Sequence, residues 1–202
     1  HTACLQALVQ GNADVNLRNA AGRTAVSIAC VGGYTRCVDE LLAHPLCERD
    51  TRDNEGCTPL MLACKNQRSV CVSRLLTADV ALNTADRRGN TALLLASSLG
   101  FTDVIDQLVK ASAELNFVNE DGETALIRAC VNGHESVVRL LANQPTINLD
   151  CQDNDGYTAM MRTSEHGHAP IVSILIEAGG DVNSKTGIAL SALALATIHN
   201  QL

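Results

Sequence analysis

Apolar positions along this chain fall in a two-part pattern that recurs five times. A short apolar run follows each Gly-x-Thr triplet, reading AVSIAC, PLMLAC, ALLLAS, ALIRAC and AMMRTS. Thirteen residues after each threonine stands an apolar pair, and a second position or pair follows four residues on. These are Cys37/Val38 with Leu41/Leu42, Cys71/Val72 with Leu75/Leu76, and Val104/Ile105 with Leu108/Val109. Val137/Val138 with Leu141/Ala142 and Ile171/Val172 with Leu175/Ile176 complete the series. Apolar pairs four residues apart form one face of a helix. Each unit therefore predicts two short helices separated by a turn, the first pair near Ala25–Val31 and Thr35–Ala43.

The register is set by Gly22/Thr24, Gly56/Thr58, Gly89/Thr91, Gly122/Thr124 and Gly156/Thr158, spaced 34, 33, 33 and 34 residues apart. Helices under about three turns are marginal alone. They must bury their faces against neighbouring units, which predicts a solenoid. One array is expected over 1–202: a partial unit over 1–22, repeats at about 23–55, 56–88, 89–121, 122–155 and 156–185, and an altered terminal unit over 186–202. Cys4, Leu5, Leu8 and Val9 match the buried face of a second helix whose first helix is missing. In the tail, Gly187 falls four residues after Asn183, where internal units place their turn glycine six after the junction asparagine. The chain starts without methionine and its tail carries the apolar ALSALALA, so it reads as part of a longer protein.

The period, the Thr-Pro-Leu start at Thr58, Gly133-His134 and Gly167-His168 between helices, and the Val15-Asn16 and Val182-Asn183 turns resemble the ankyrin repeat over nearly the whole chain. The resemblance implies an all-α solenoid of short helix pairs with projecting hairpin loops. The family's histidine after Thr-Pro-Leu is replaced by Ser27, Met61, Leu94, Ile127 and Met161, which trades polar cross-links for apolar contact. In the second unit Lys65-Asn66-Gln67-Arg68 stands where the Gly-His turn is expected, a departure that fits either drift or recognition.

The resemblance further implies a non-catalytic module that binds a protein segment or peptide in a concave groove of hairpin tips and first helices. Its expected contact residues are Arg23, Lys65, Arg87, Arg88, Leu99, Glu120, Asp121, Glu123, Val131, Asn132, Tyr157, Glu165 and His166. The earlier part of this groove is the more basic. The later part, with Glu120, Asp121, Glu123, Asp155 and Glu165, is acidic. The alternative is an architectural or regulatory segment of a larger enzyme, channel or scaffold, packed on its own chain or an oligomeric partner. The resemblance also makes Asn16, Asn83, Asn116 and Asn183 candidate asparaginyl-hydroxylation sites, with Leu8, Leu75, Leu108 and Leu175 eight residues upstream. Their local reading is turn stabilisation through side-chain-to-backbone bonds.

Composition narrows the remaining chemistry. Aromatic residues make up 2% and tryptophan is absent, so leucine and alanine supply the core. A formal net charge of −7 disfavours nucleic acid and anionic membranes as general partners. No apolar run approaches the roughly 18 residues of a membrane span, and no leader pattern is visible. Nine cysteines, an odd number without a Cys-x-x-Cys pair, argue against a disulfide scaffold or a zinc site and for a reducing compartment, cytoplasmic or nuclear. Cys4, Cys30, Cys37, Cys64, Cys71 and Cys130 take helix-contact positions and read as small buried hydrophobes. Cys57 and Cys151, near turns, are expected to be exposed. Glu165-His166-Gly167-His168 is the most metal-like stretch, but His168 occupies the ordinary inter-helix turn, so no metal or cofactor is assigned. No phosphate loop or catalytic triad is recognisable, and the oligomeric state stays open.

Overall fold

The computed structural model describes residues 2–198. Twelve α-helices, and no strand, occur among the described residues. An outer helix, α1 (Thr2–Gln10), is followed by five pairs, each an inner and then an outer helix. The pairs are α2 (Ala25–Gly32) with α3 (Thr35–Leu42), α4 (Pro59–Lys65) with α5 (Ser69–Leu76), and α6 (Ala92–Leu99) with α7 (Thr102–Lys110). Next come α8 (Ala125–Val131) with α9 (Glu135–Ala142), and α10 (Ala159–Glu165) with α11 (Ala169–Glu177). A last inner helix, α12 (Ala192–Ile198), follows. Inner helices stack on inner helices and outer on outer, so the array is two layers deep.

Each of the five paired inner helices starts at the threonine of a Gly-x-Thr triplet. Thr58, Thr91, Thr124 and Thr158 accept a bond from the backbone N–H three residues on, at 3.2–3.4 Å. That satisfies one of the helix's orphan donors. Pro59 enters at the first helical position, where its missing N–H costs nothing. The residues replacing the expected histidine, from Ser27 to Met161, are all buried. Met61, Leu94 and Ile127 are part of one continuous core with the outer-helix residues Leu41, Leu75, Leu108, Leu141 and Leu175, none more than 2% exposed.

Units are tied above the helices by the hairpins. An Asn or Asp three residues before each turn glycine accepts two backbone N–H bonds across the turn. Asp86 Oδ1 takes those of Arg88 and Asn90 at 2.9 and 2.8 Å, and Asn119 Oδ1 those of Asp121 and Glu123 at 3.0 and 2.8 Å. Asn19, Asp53 and Asp153 do the same in their own turns. Successive tips are joined by one backbone bond each: Asn54 N–H to Ala21 O, Arg87 to Glu55, Glu120 to Arg88 and Asn154 to Asp121, at 3.0–3.1 Å. This close stacking requires glycine. Gly89 has φ +77°, and a Cβ there would lie 2.8 Å from the Glu120 nitrogen.

Two expectations change. The turn position of the terminal hairpin is filled by Ala189, six residues after Asn183, with φ 64°; Gly187 does not take it. Thr186 stands in for the turn Asp, its Oγ1 accepting from Leu190 N–H at 3.1 Å. The terminal unit thus keeps the internal register, hidden in the sequence because alanine replaces the glycine. The irregular turn of the second unit also has a structural role. Arg68 Nε donates to Val31 O at 3.1 Å, as the ring nitrogens of His134 and His168 meet Ser98 O and Val131 O at 3.0 and 3.4 Å.

Gln67 adopts φ 52° in that turn, where other units have glycine. A left-handed conformation costs a non-glycine residue about 1–2 kcal/mol, and glycine gives back part of that in chain entropy. Gln67→Gly is therefore expected to stabilise the array by about 0.5–1 kcal/mol, read as a higher urea midpoint with an unchanged slope.

Candidate functional site

The hairpins and inner helices set out the residues expected to meet a partner. Arg87 and Arg88 form the tip of the hairpin before α6, and Glu120 and Asp121 the tip before α8. All four side chains are exposed and, among the described residues, make no ion pair. Their backbones are used in the ladder while their side chains are not. The flanking tips differ: Asn54 and Asn154 spend their amides on Ala20 O and Glu120 O, at 2.9 and 2.7 Å.

Lower down, where hairpin meets helix, charges are paired. Arg23 Nε is 3.1 Å from Asp53, whose side chain is buried. Glu123 meets Arg128 at 3.1 Å and accepts from Asn119 Nδ2 at 3.1 Å. Arg162 binds three carboxylates: Asp153 and Asp155 at 2.7 Å each and Glu165 at 3.2 Å. Its guanidinium lies 4.0 Å from the centre of the Tyr157 ring, a cation–π contact. Burial works against the Arg162 charge, but the hydrogen bonds it donates to Asp153, Asp155 and Glu165, with the Asp153 charge, outweigh it and raise its pKa.

The structure therefore divides the expected groove residues. Arg87, Arg88, Glu120, Asp121 and Lys65 are exposed charges without an ion pair among the described residues, with Leu99 and Asn132 exposed beside the inner-helix ends. Arg23, Glu123, Tyr157 and Glu165 are half-buried parts of fixed polar clusters, and Val131 is half-buried. His166 is exposed. Its Nδ1 lies 2.8 Å from Arg162 O, and its ring stacks on His168 with centroids 6.2 Å apart. Arg128 and Arg162, which bind the acidic residues, were not singled out from sequence. Their signal is positional: both occupy the inner-helix site that carries Ile28, Leu62 and Leu95 in other units.

The junction asparagines bridge units. Asn16 Nδ2 donates to Leu46 O and Asn116 Nδ2 to Thr146 O, at 2.7 and 2.8 Å. Their Oδ1 atoms accept from Glu48 and Asn148 N–H. Asn83 Oδ1 accepts from Glu114 N–H at 3.0 Å. Asn183 is exposed, and its side-chain amide makes no such bond among the described residues. Any modifying enzyme would have to break two bonds at Asn116 and none at Asn183.

All nine cysteines are free. Cys57 is buried, contrary to the expectation from its place near a turn, because the stacked hairpins enclose it; Cys151 is half-buried. Cys4 is exposed rather than buried, since no inner helix backs α1 among the described residues. Burial pushes the Cys57 thiol from 9.0 up to about 11, with Asp53 and Asp86 adding to the rise. Burial pushes Cys130 up to about 12.

A family model described as Ankyrin repeats (3 copies) matches residues 1–86, 46–116, 71–153 and 93–186. Among solved structures, the chain is similar to EF0377, described as an ankyrin repeat protein: 27% identity over 94% of each chain, TM-score 0.84. It is also similar in fold to the ankyrin repeat domain of Bcl-3, a member of the IkappaB family. There the identity is 24%, the coverage 99% of this chain and 90% of that one, and the TM-score 0.87.

Two outcomes follow from the buried groups. Arg162→Ala leaves the Asp153 carboxylate buried without its cation and is expected to cost about 1–3 kcal/mol, measured by urea denaturation. For the thiols, the folded state holds the proton more tightly than the unfolded chain. Their contribution to stability is present below pH 9 and is lost as pH rises through the folded values. The urea midpoint should fall on alkaline titration, less steeply in Cys57→Ser. At pH 8 a thiol reagent should modify Cys4 long before Cys57.

Proposed function

Because the chain belongs to the ankyrin-repeat family, we propose that it is a non-catalytic module that binds a protein segment across the hairpin tips and inner helices of its middle units. The family's fold is typically an interaction module without chemistry of its own. The observation that carries the placement is the pair of neighbouring tips with opposite free charge, Arg87/Arg88 and Glu120/Asp121. Partner acids would meet the first tip and partner bases the second. Leu99 and the half-buried Val131 supply apolar contact below them.

Tips of this kind orient a partner and speed its encounter more than they add affinity. The paired cluster around Arg162 is preorganised and offers a firm surface with Tyr157 at its edge, a residue suited to interfaces. The partner is protein rather than nucleic acid, in keeping with the net charge of −7. Free cysteines throughout fit a reducing compartment, cytoplasm or nucleus.

The test is pull-down mass spectrometry with the chain as bait, then titration of the recovered partner. Arg87→Glu with Arg88→Glu should weaken binding by about tenfold, mainly through slower association, and reduce its salt dependence. Circular dichroism should stay unchanged, because neither side chain enters the core. Unchanged affinity and salt dependence would refute the placement.

A further inference from the structure

Two neighbouring inner helices carry an arginine at the same place in the groove and surround it differently. Arg128 on α8 and Arg162 on α10 occupy equivalent positions one repeat apart, where the three earlier units have Ile28, Leu62 and Leu95. Arg162 is saturated. Asp153, Asp155 and Glu165 surround its guanidinium, the Tyr157 ring covers one face, and its side chain is 19% exposed.

At Arg128 each of those three acids is missing or turned away. Asn119 stands in place of Asp153, and its Nδ2 donates to Asn90 Oδ1 and Glu123 Oε2. A donor cannot serve a guanidinium, and Arg128 Nε is enclosed without an acceptor among the described residues. Asp121 stands in place of Asp155 but is exposed and makes no ion pair among the described residues. Val131 stands in place of Glu165. What remains is Glu123, 3.1 Å from Arg128 Nη1, and the arginine side chain is 32% exposed.

We propose that Arg128 receives an acid of the partner: a Glu or Asp side chain of the bound segment lies over Val131 and binds this guanidinium as Glu165 binds that of Arg162. This rests on the reading that the groove takes a protein segment, and it adds an anchor on the groove floor below the charged tips.

The fifth unit is the internal template. It shows that one arginine at this position holds three carboxylates, so a second acid beside Glu123 is within its capacity. The planar fork of guanidinium donors matches a carboxylate, and such charge-assisted bonds are stronger than neutral ones. A half-buried site beside Leu99 and Val131 screens the pair less than open solvent would. Asn132 Nδ2 donates to Arg128 O at 2.8 Å, which braces the helix end under the site. A phosphate is the poorer occupant, because its higher charge would face Glu120, Asp121 and Glu123.

The test is selection of a displayed library of random, unmodified peptides on the folded chain. Peptides selected on wild type should fix Glu or Asp at one position. Replacing that acid by its amide should weaken binding about tenfold on wild type and leave binding to Arg128→Gln unchanged. Val131→Glu supplies the acid of the fifth unit to the fourth, so it should fill Arg128 from within and abolish the acid preference by a second route. Arg139→Gln, on an outer helix, removes an equal charge and should change nothing. Circular dichroism checks folding, and Val131→Glu carries the test if Arg128→Gln does not fold. The assignment is overturned, with the groove reading intact, if selected peptides lose binding to Arg87→Glu with Arg88→Glu yet fix no acid. It is also overturned if the acid keeps its full effect on Arg128→Gln or on Val131→Glu. Peptides indifferent to both the tips and Arg128 would overturn the groove reading and this assignment together.

Discussion

No unit of this protein can bury its own apolar face, and everything else in the structure follows from that. The inner helices are seven or eight residues long, too short to persist alone in water. Each becomes stable when helices from both sides close over it. Fully burying one leucine side chain is worth about 1.5–3 kcal/mol, and five of them line the outer layer in equivalent positions, from Leu41 to Leu175. The same side chain at Leu8, with no inner helix behind it among the described residues, is 62% exposed. Stability is therefore held between units rather than within them.

Close stacking of helices forces close stacking of the hairpins above them, and that puts polar groups out of water. The solution repeats. One Asn or Asp per turn takes two backbone N–H groups, one backbone bond joins each tip to the next, and a glycine leaves room for it. Where the acceptor is a carboxylate it also needs a cation or further donors, since a buried charge without a partner is costly. Arg23 serves Asp53 and Arg162 serves Asp153, while Asp86 takes the Asn90 amide. The acidic look of the later units in sequence is thus partly internal: Glu123, Asp155 and Glu165 are engaged by Arg128 and Arg162.

The helices were legible because apolar spacing carries them, and the ankyrin resemblance rested on residues that build the repeat. Part of what escaped the sequence had one cause, namely that a position can keep its role while changing its residue. Ala189 keeps the left-handed turn that glycine marks elsewhere, so the terminal unit looked shortened. Arg68 keeps the carbonyl contact that histidine makes elsewhere, so that turn looked open to a recognition role. Cys57 lies beside a turn yet is buried, between Asp53 of its own hairpin and Asp86 of the next. For the candidate site, sequence named the exposed tips but not which charges were already spent. That depends on how far Arg128 and Arg162 reach between elements.

The tips then have a property that the rest of the array lacks. At Arg87, Arg88, Glu120 and Asp121 the fold uses the backbone N–H or C=O and, among the described residues, gives the side chain no ion pair. A substitution there changes the surface and not the ladder, provided the residue tolerates the turn's dihedrals. Asn54 and Asn154 are less free, since their amides also brace the preceding tip. Core positions are held by packing on both sides, and turn glycines and Asx residues by geometry. The middle tips are where the chain can vary in charge while every bond that stacks the units stays made. This separation of load leaves those positions free to vary on physical grounds, independent of what any partner is.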